Sequence, residues 1–162
     1  MKDDELKNLV DEFLYLVEVG SGSTTADESE LAHLLDRMAL AMRHRLAPEE
    51  PAAPLEVPER NFDVLRKVAA SRFPHYGAYN RPTHWTEDIG RSGLEVASAI
   101  DDIAVVADHL HVVAWLWRSV SWDAGLWYLE DSRTRHWGQS MRALQLYLQV
   151  LEEQVAPDGL DA

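Results

Sequence analysis

The stretch Ser92–Val120, SGLEVASAIDDIAVVADHLHVVAWLWRSV, decides the fold. Its opening, Ser92-Gly93-Leu94-Glu95, has the form of a capping box, in which the hydroxyl and the carboxylate each satisfy an orphan helix N–H. The spacing predicts a helix over 92–120, about 40 Å long at 1.5 Å per residue. Apolar residues lie nearly all round its middle, as expected for a helix at the centre of a bundle. The run Ile103–Trp117 is interrupted by Asp108, His109 and His111, so it reads as a core helix and not as a membrane span.

On the C-terminal side, Trp122, Leu126 and Leu129 share one face of a short helix. Trp137, Met141, Leu144, Leu148, Leu151 and Val155 then alternate steps of four and three over 134–155, the pattern of a bundle seam. On the N-terminal side, Leu6, Leu9, Val10, Phe13, Leu14 and Val17 make one apolar helical face, which Gly20 and Ser21-Gly22-Ser23 end. Thr25-Ala26-Asp27-Glu28 resembles a second capping box before Leu31, Leu34, Leu35, Met38 and Met42, and basic Arg43, His44 and Arg45 suit that helix's negative end. Four prolines (48, 51, 54 and 58) mark an extended connection, after which a third helix is expected from about Pro58 through Phe62, Leu65, Ala69 and Phe73. Residues 74–87 read as an irregular loop rich in functional side chains. No segment reads as a period-two strand. The expectation is an all-α fold, a helical bundle of five or six helices with a long central helix. A single domain would cover 1–162, with the Pro-rich connection 48–58 inside it.

The 162 residues suffice for one core, and with no cysteine there is neither a disulfide nor a thiolate metal site. That composition, and an acidic N-terminus without the basic and apolar regions of a secretory signal, predict a cytoplasmic protein. Fifteen basic residues stand against 28 acidic ones, a formal charge of −13. Such a surface repels phosphate backbones and anionic lipid, so neither nucleic acid nor membrane is an expected partner. A basic protein or peptide fits the charge, as does plain solubility. A homodimer through an exposed apolar seam is open. No glycine-rich phosphate loop, dinucleotide fingerprint or nucleophile elbow occurs, and no cofactor is implied.

Ala97, Asp101, Ala104, Asp108, His111, Trp115 and Arg118 share one helical stripe, because seven residues are close to two turns. Asp102 and His109 form a parallel pair about 100° round. Burying such charges unpartnered costs several kcal/mol, so each must meet a partner, a ligand or water. Three readings stay open. In the first, the carboxylates accept hydrogen bonds from neighbouring helices, with Arg133, Arg135, His136 and Arg142 as candidates, or from backbone N–H groups of the 74–87 loop, or simply face solvent. In the second, Asp101, Asp108, His111 and His136 form an oxygen-and-imidazole metal site, although the glutamates of a di-iron bundle are missing. In the third, the stripe and the aromatic loop line a pocket with Tyr76, Tyr79, Trp85, Trp115 and Trp137 as walls, Asp101 or Asp108 orienting a basic group.

Asp101-Asp102-Ile103-Ala104, Asp108-His109-Leu110, and His136-Trp137-Gly138 opening a helix with Ala143-Leu144 resemble the bacterial family catalogued as domain of unknown function 5063. The resemblance covers the second half of the chain, with Tyr79 and Ser92 as counterparts before it; residues 1–60 share only helical character. Val105 stands where the family tends to carry a further acid, and Ser140 where a second histidine is common. The resemblance implies an all-helical fold and no activity. His136 is expected to pair with an aspartate of the central helix. The functional expectation is a non-enzymatic protein-binding or regulatory module, using Tyr79, Trp85, Asp101, Asp108, His111, His136 and Trp137. The alternative is a small metal-dependent hydrolase built on Asp101, Asp108, His111 and His136.

Overall fold

The computed structural model describes residues 3–43 and 45–155. Met1, Lys2, His44 of the basic helix end and the side chain of Val155 at the end of the seam lie outside the described residues. The chain is an all-α helical bundle with a small hairpin inserted. Helices α1 (Asp3–Glu18), α2 (Thr24–Met42) and α3 (Phe62–Arg72) lead to strands β1 (Ala78–Pro82) and β2 (Leu94–Ser98). Helix α4 (Ala99–Ser119) follows β2 directly, then α5 (Trp122–Ser132), a π turn (Arg133–Trp137) and α6 (Gly138–Val155). The run from α5 to α6 is unbroken, so five helices stand among the described residues when it is counted once.

Helix α4 is central, packing against α1, α3, α5 and α6, while α2 closes the bundle against α1 and α6. Ile103, Val106, Leu110, Val113 and Leu116 of α4 are fully buried, as its all-round apolar pattern requires. The apolar face of α1 is buried from Leu6 to Val17, and Trp137, Met141, Leu144 and Leu148 carry the α6 seam into the same core. Each such side chain contributes about 1.5–3 kcal/mol when fully buried. Phe73 and Ala69 anchor α3, whose Phe62 and Leu65 stay partly exposed. Among the described residues, no helix is long and apolar enough to cross a membrane.

Several local expectations need correction. The helix expected over 92–120 begins only at Ala99, where the Ser98 hydroxyl accepts the Asp101 N–H (3.2 Å). Leu94–Ser98 is instead a strand, paired antiparallel with Ala78–Pro82 in the register Tyr79↔Ala97 and Arg81↔Glu95. Pairing with β1 supplies hydrogen bonds that an added helical turn would have had to supply, so the Ser92–Glu95 capping box does not form. Helix α2 is capped by Ser23, not Thr25: its hydroxyl accepts from Ala26 N–H (3.3 Å), and Asp27 accepts from Ser21 N–H (2.9 Å). Glu28, freed from capping, reaches His75 (3.0 Å). Helix α3 starts at Phe62 behind the Asn61 cap, four residues later than Pro58 suggested. Gly20 ends α1 with φ +68°, and a side chain there would collide with Asp27 and Arg72.

Candidate functional site

The stripe that looked like a site in the sequence is dispersed over separate ion pairs. Asp108 accepts both arms of Arg60 (2.7 and 2.8 Å), and Asp101 accepts Arg66 from α3. His111 Nε2 lies 2.5 Å from the Glu18 carboxylate of α1. Arg133 and Arg135 instead reach Glu130 and Asp131, one helical turn back. His136 is exposed, and among the described residues the expected pair with an aspartate of the central helix does not form; its ring stacks on His109 instead (5.7 Å, 4° between planes). Asp101, Asp108, His111 and His136 therefore do not converge, and no three His, Asp or Glu side chains among the described residues could share a metal ion.

Trp137 is also not a pocket wall. It is wholly buried, and its indole N–H donates to Ser132 Oγ (2.9 Å). The π turn makes this possible by inserting one residue into the helix, which rotates Trp137 inward and sets His136 beside His109. Gly138 N–H bonds back to the Arg133 carbonyl, and a Cβ at 138 would sit 2.5 Å from that oxygen. His-Trp-Gly is thus the signature of the bulge. His109, half-buried, contacts the Tyr128 hydroxyl through Nδ1 (3.0 Å). Burial holds its pKa below the ordinary value; Arg60 and His136 push the same way, against Asp108.

The buried polar centre is built on the neighbouring stripe. Asp102 is 5% exposed and lies in the first turn of α4, directly after β2. The hairpin delivers its partners: Tyr79 Oη donates to Oδ2 (2.5 Å), and Arg81 Nη1 lies 3.3 Å from Oδ1. Arg81 Nε also donates to Glu95 (2.8 Å), its cross-strand partner. Alternation along β1 turns Tyr79 and Arg81 to the same side, over α4. Burial raises the Asp102 pKa above the usual carboxylate range, although Tyr79, Ser140 and Arg81 pull it down. Burial, then the bond to Asp102, raises the Tyr79 phenol, so it stays a neutral donor. For Arg81, burial disfavours the cation, but Glu95 and Asp102 outweigh it and the pKa rises. The arrangement is a closed hydrogen-bond network that fastens the hairpin to the central helix.

Tyr79 has a second contact. Its ring stacks on Tyr147 of α6 (5.0 Å), whose hydroxyl accepts the Gly77 N–H (3.0 Å). This pair floors a cleft of about 290 Å³ between β1 and α6, walled by Trp85, Leu146 and Val150. Trp85 and Leu146 are each 50% exposed, so the wall is open to a ligand. Of the residues expected from the sequence, Tyr79 and Trp85 meet here. Trp115 lines a separate depression with Pro58 and Arg118. Arg81, Glu95, Leu146 and Tyr147 were not anticipated. The alternation Tyr79-x-Arg81 against Glu95-x-Ala97, across a segment with glycines at 90 and 93, is the signal that could have revealed the first two.

No family model matches the chain, and comparison with curated proteins finds no match. Among solved structures, the chain is similar to the crystal structure of protein BF1032 from Bacteroides fragilis, a structural genomics target. The TM-score is 0.72 at 15% sequence identity, over 96% of this chain and 94% of that one. At that identity the likeness shows a shared fold alone. The hairpin and the bundle are therefore the frame on which any function must be argued.

Proposed function

We propose that the protein is a non-enzymatic cytoplasmic binding module, and that it holds another polypeptide in the cleft between β1 and α6. One observation carries this reading: an open, apolar wall (Trp85, Leu146 and Val150) lies directly beside a polar network whose charges are already matched to one another. Pockets of this kind, apolar with a few fixed polar groups, are where ligands bind. Chemistry would need a group left poised to react. Asp102 is held by Tyr79 and Arg81, Asp108 by Arg60, and His111 by Glu18, so the metal-dependent hydrolase is the weaker reading.

The test compares variants by quantitative capture of proteins from bacterial extract, alongside elemental analysis. Proteins held by the wild type should be lost with Leu146→Asp and Trp85→Ala, whose positions are half-exposed, and kept with Asp108→Ala. Both cleft variants should melt within a few degrees of the wild type. Stoichiometric zinc, manganese or iron that disappears in Asp108→Ala, together with a hydrolytic activity, would reverse the assignment.

A further inference from the structure

One wall of the cleft is formed by strand β1. Four consecutive residues of β1, Tyr79 to Pro82, line it, and no residue of β2 does. One side of β1 is therefore paired with β2, and its other edge faces α6. The register says which backbone groups that edge offers. Ala99 N–H bonds Gly77 O (3.1 Å) and Thr83 N–H bonds Gly93 O (2.9 Å), so the odd-numbered residues 77, 79, 81 and 83 are the hydrogen-bonded positions of the ladder. In an antiparallel pair the positions between them turn N–H and C=O the other way. Asn80 therefore presents donor and acceptor to the cleft and Pro82 an acceptor only, while Ala78 continues the same free edge beyond the cleft lining. Opposite them, Leu146 and Val150 project from α6 one helical turn apart.

An unpaired strand edge beside an apolar helix face is chemistry for an extended polypeptide: main-chain bonds hold the strand, and alternate side chains enter the apolar wall. A small apolar molecule would leave the Asn80 backbone groups unmatched. Charge narrows the class further. Arg81, the charged residue lining the cleft, is already held by Glu95 and Asp102; Glu28 and Glu152 stand close to Tyr76 just before the hairpin, and the chain carries −13 overall. We infer that the cleft takes an extended segment of a partner protein, apolar at alternate positions and basic at others, as a third strand on the free edge of β1. This rests on the polypeptide-binding reading above and adds its mode.

Asn80→Pro is the diagnostic variant, because it deletes one outward N–H and leaves the β1–β2 ladder intact at a position that makes no bond to β2. Asn80→Ala keeps that N–H. The probe is the tightest dodecamer recovered from a random phage-displayed library on the intact protein, measured by fluorescence anisotropy. Expected are a basic, alternating sequence, a loss of about tenfold or more on Asn80→Pro, and near-wild-type affinity on Asn80→Ala, the scale of one lost hydrogen bond to a buried strand. If Asn80→Pro fails to fold, N-methylation of the peptide at successive positions gives the same information: losses should alternate, with every second position tolerant. Equal affinity for Asn80→Pro, or no alternation, with binding still abolished by Leu146→Asp, overturns strand addition and leaves the polypeptide-binding cleft. No recovered peptide, or binding indifferent to Leu146→Asp, overturns both. A wild-type dimer that Asn80→Pro converts to monomer would assign the edge to a second copy of the chain and likewise overturn the proposal.

Discussion

Replacing Asp102 by asparagine and by alanine should separate its charge from its hydrogen bonds. Asp102→Ala leaves the Tyr79 hydroxyl and one Arg81 N–H facing a buried gap, while Arg81 keeps Glu95 at 2.8 Å. Each buried polar group left without a partner costs about 1–3 kcal/mol, and the retained Glu95 contact softens the second, so the loss should be about 2–4 kcal/mol. For a domain of this size that corresponds to about 4–16 °C in melting temperature. Asp102→Asn keeps an acceptor for Tyr79 and removes a charge that burial disfavours, so its cost near neutral pH should stay within about 1 kcal/mol. The two proteins should also differ in pH dependence. Burial raises the Asp102 pKa in the folded state, so the folded chain keeps a proton there that the unfolded chain has already released. Between the ordinary carboxylate value and the raised one, that group makes stability fall as pH rises. Urea unfolding followed by tryptophan fluorescence from about pH 4 to 8 should show wild type losing ground to Asp102→Asn as pH rises. If Asn costs as much as Ala, and wild type gains on the variant with rising pH, the Arg81 ion pair dominates and the account of the network is wrong.

Gly138→Ala tests the bulge. Alanine in place of glycine gains about 1 kcal/mol in an ordinary helix, but here its Cβ would meet the Arg133 carbonyl at 2.5 Å, and a loss of about 2 kcal/mol is expected on urea unfolding; a gain would mean the π turn is not maintained in solution. His109 should titrate below an unperturbed histidine when its ring protons are followed by NMR, because burial disfavours its cation. The unfolded chain then takes up that proton first, so this group's contribution to stability is full above the ordinary histidine value and is lost as pH falls from there through the lowered folded value; a His109 pKa at or above the ordinary value would refute the burial argument.

The parts of the fold that could be read from the chain are those where one periodicity acts alone. Leu6 to Val17 and Trp137 to Leu148 follow the helical repeat, and both are buried as that repeat demands. The hairpin escaped because its pattern is inverted. Leu94 and Val96 are 68% and 79% exposed, while Glu95 faces Arg81. A strand with apolar residues outward gives no inward apolar stripe to find. Leu94, Ala97 and Asp101 meanwhile fit helical spacing, and Ser92–Glu95 imitates a cap. The site was missed by one residue for a related reason. Asp101 and Asp102 are adjacent and about 100° apart on a helix, and which of them faces inward depends on where the hairpin lies. Likewise Arg60 and Arg66, the partners of Asp108 and Asp101, stand 48 and 35 residues away, separations that carry no local signal.

Those outward residues and the buried network belong to one arrangement. Tyr79 bonds Asp102 through its hydroxyl and stacks on Tyr147 through its ring, so the same side chain fixes the hairpin to α4 and sets the floor of the cleft against α6. Arg81 repeats the first function one pleat along, through Asp102 and Glu95. With both inward residues of β1 held, the intervening Asn80 has its backbone fixed without contributing a side chain to the core. A free strand edge held rigid in this way loses little conformational entropy when a partner strand is added, which is the condition under which a short edge can bind at useful affinity. In the proposed strand addition the polar network would act on binding through position and not through charge. Tyr79→Phe, which keeps the stacking ring and frees it from Asp102, belongs to the same logic as Asp102→Ala: both leave the apolar wall intact and loosen only the strand that faces it.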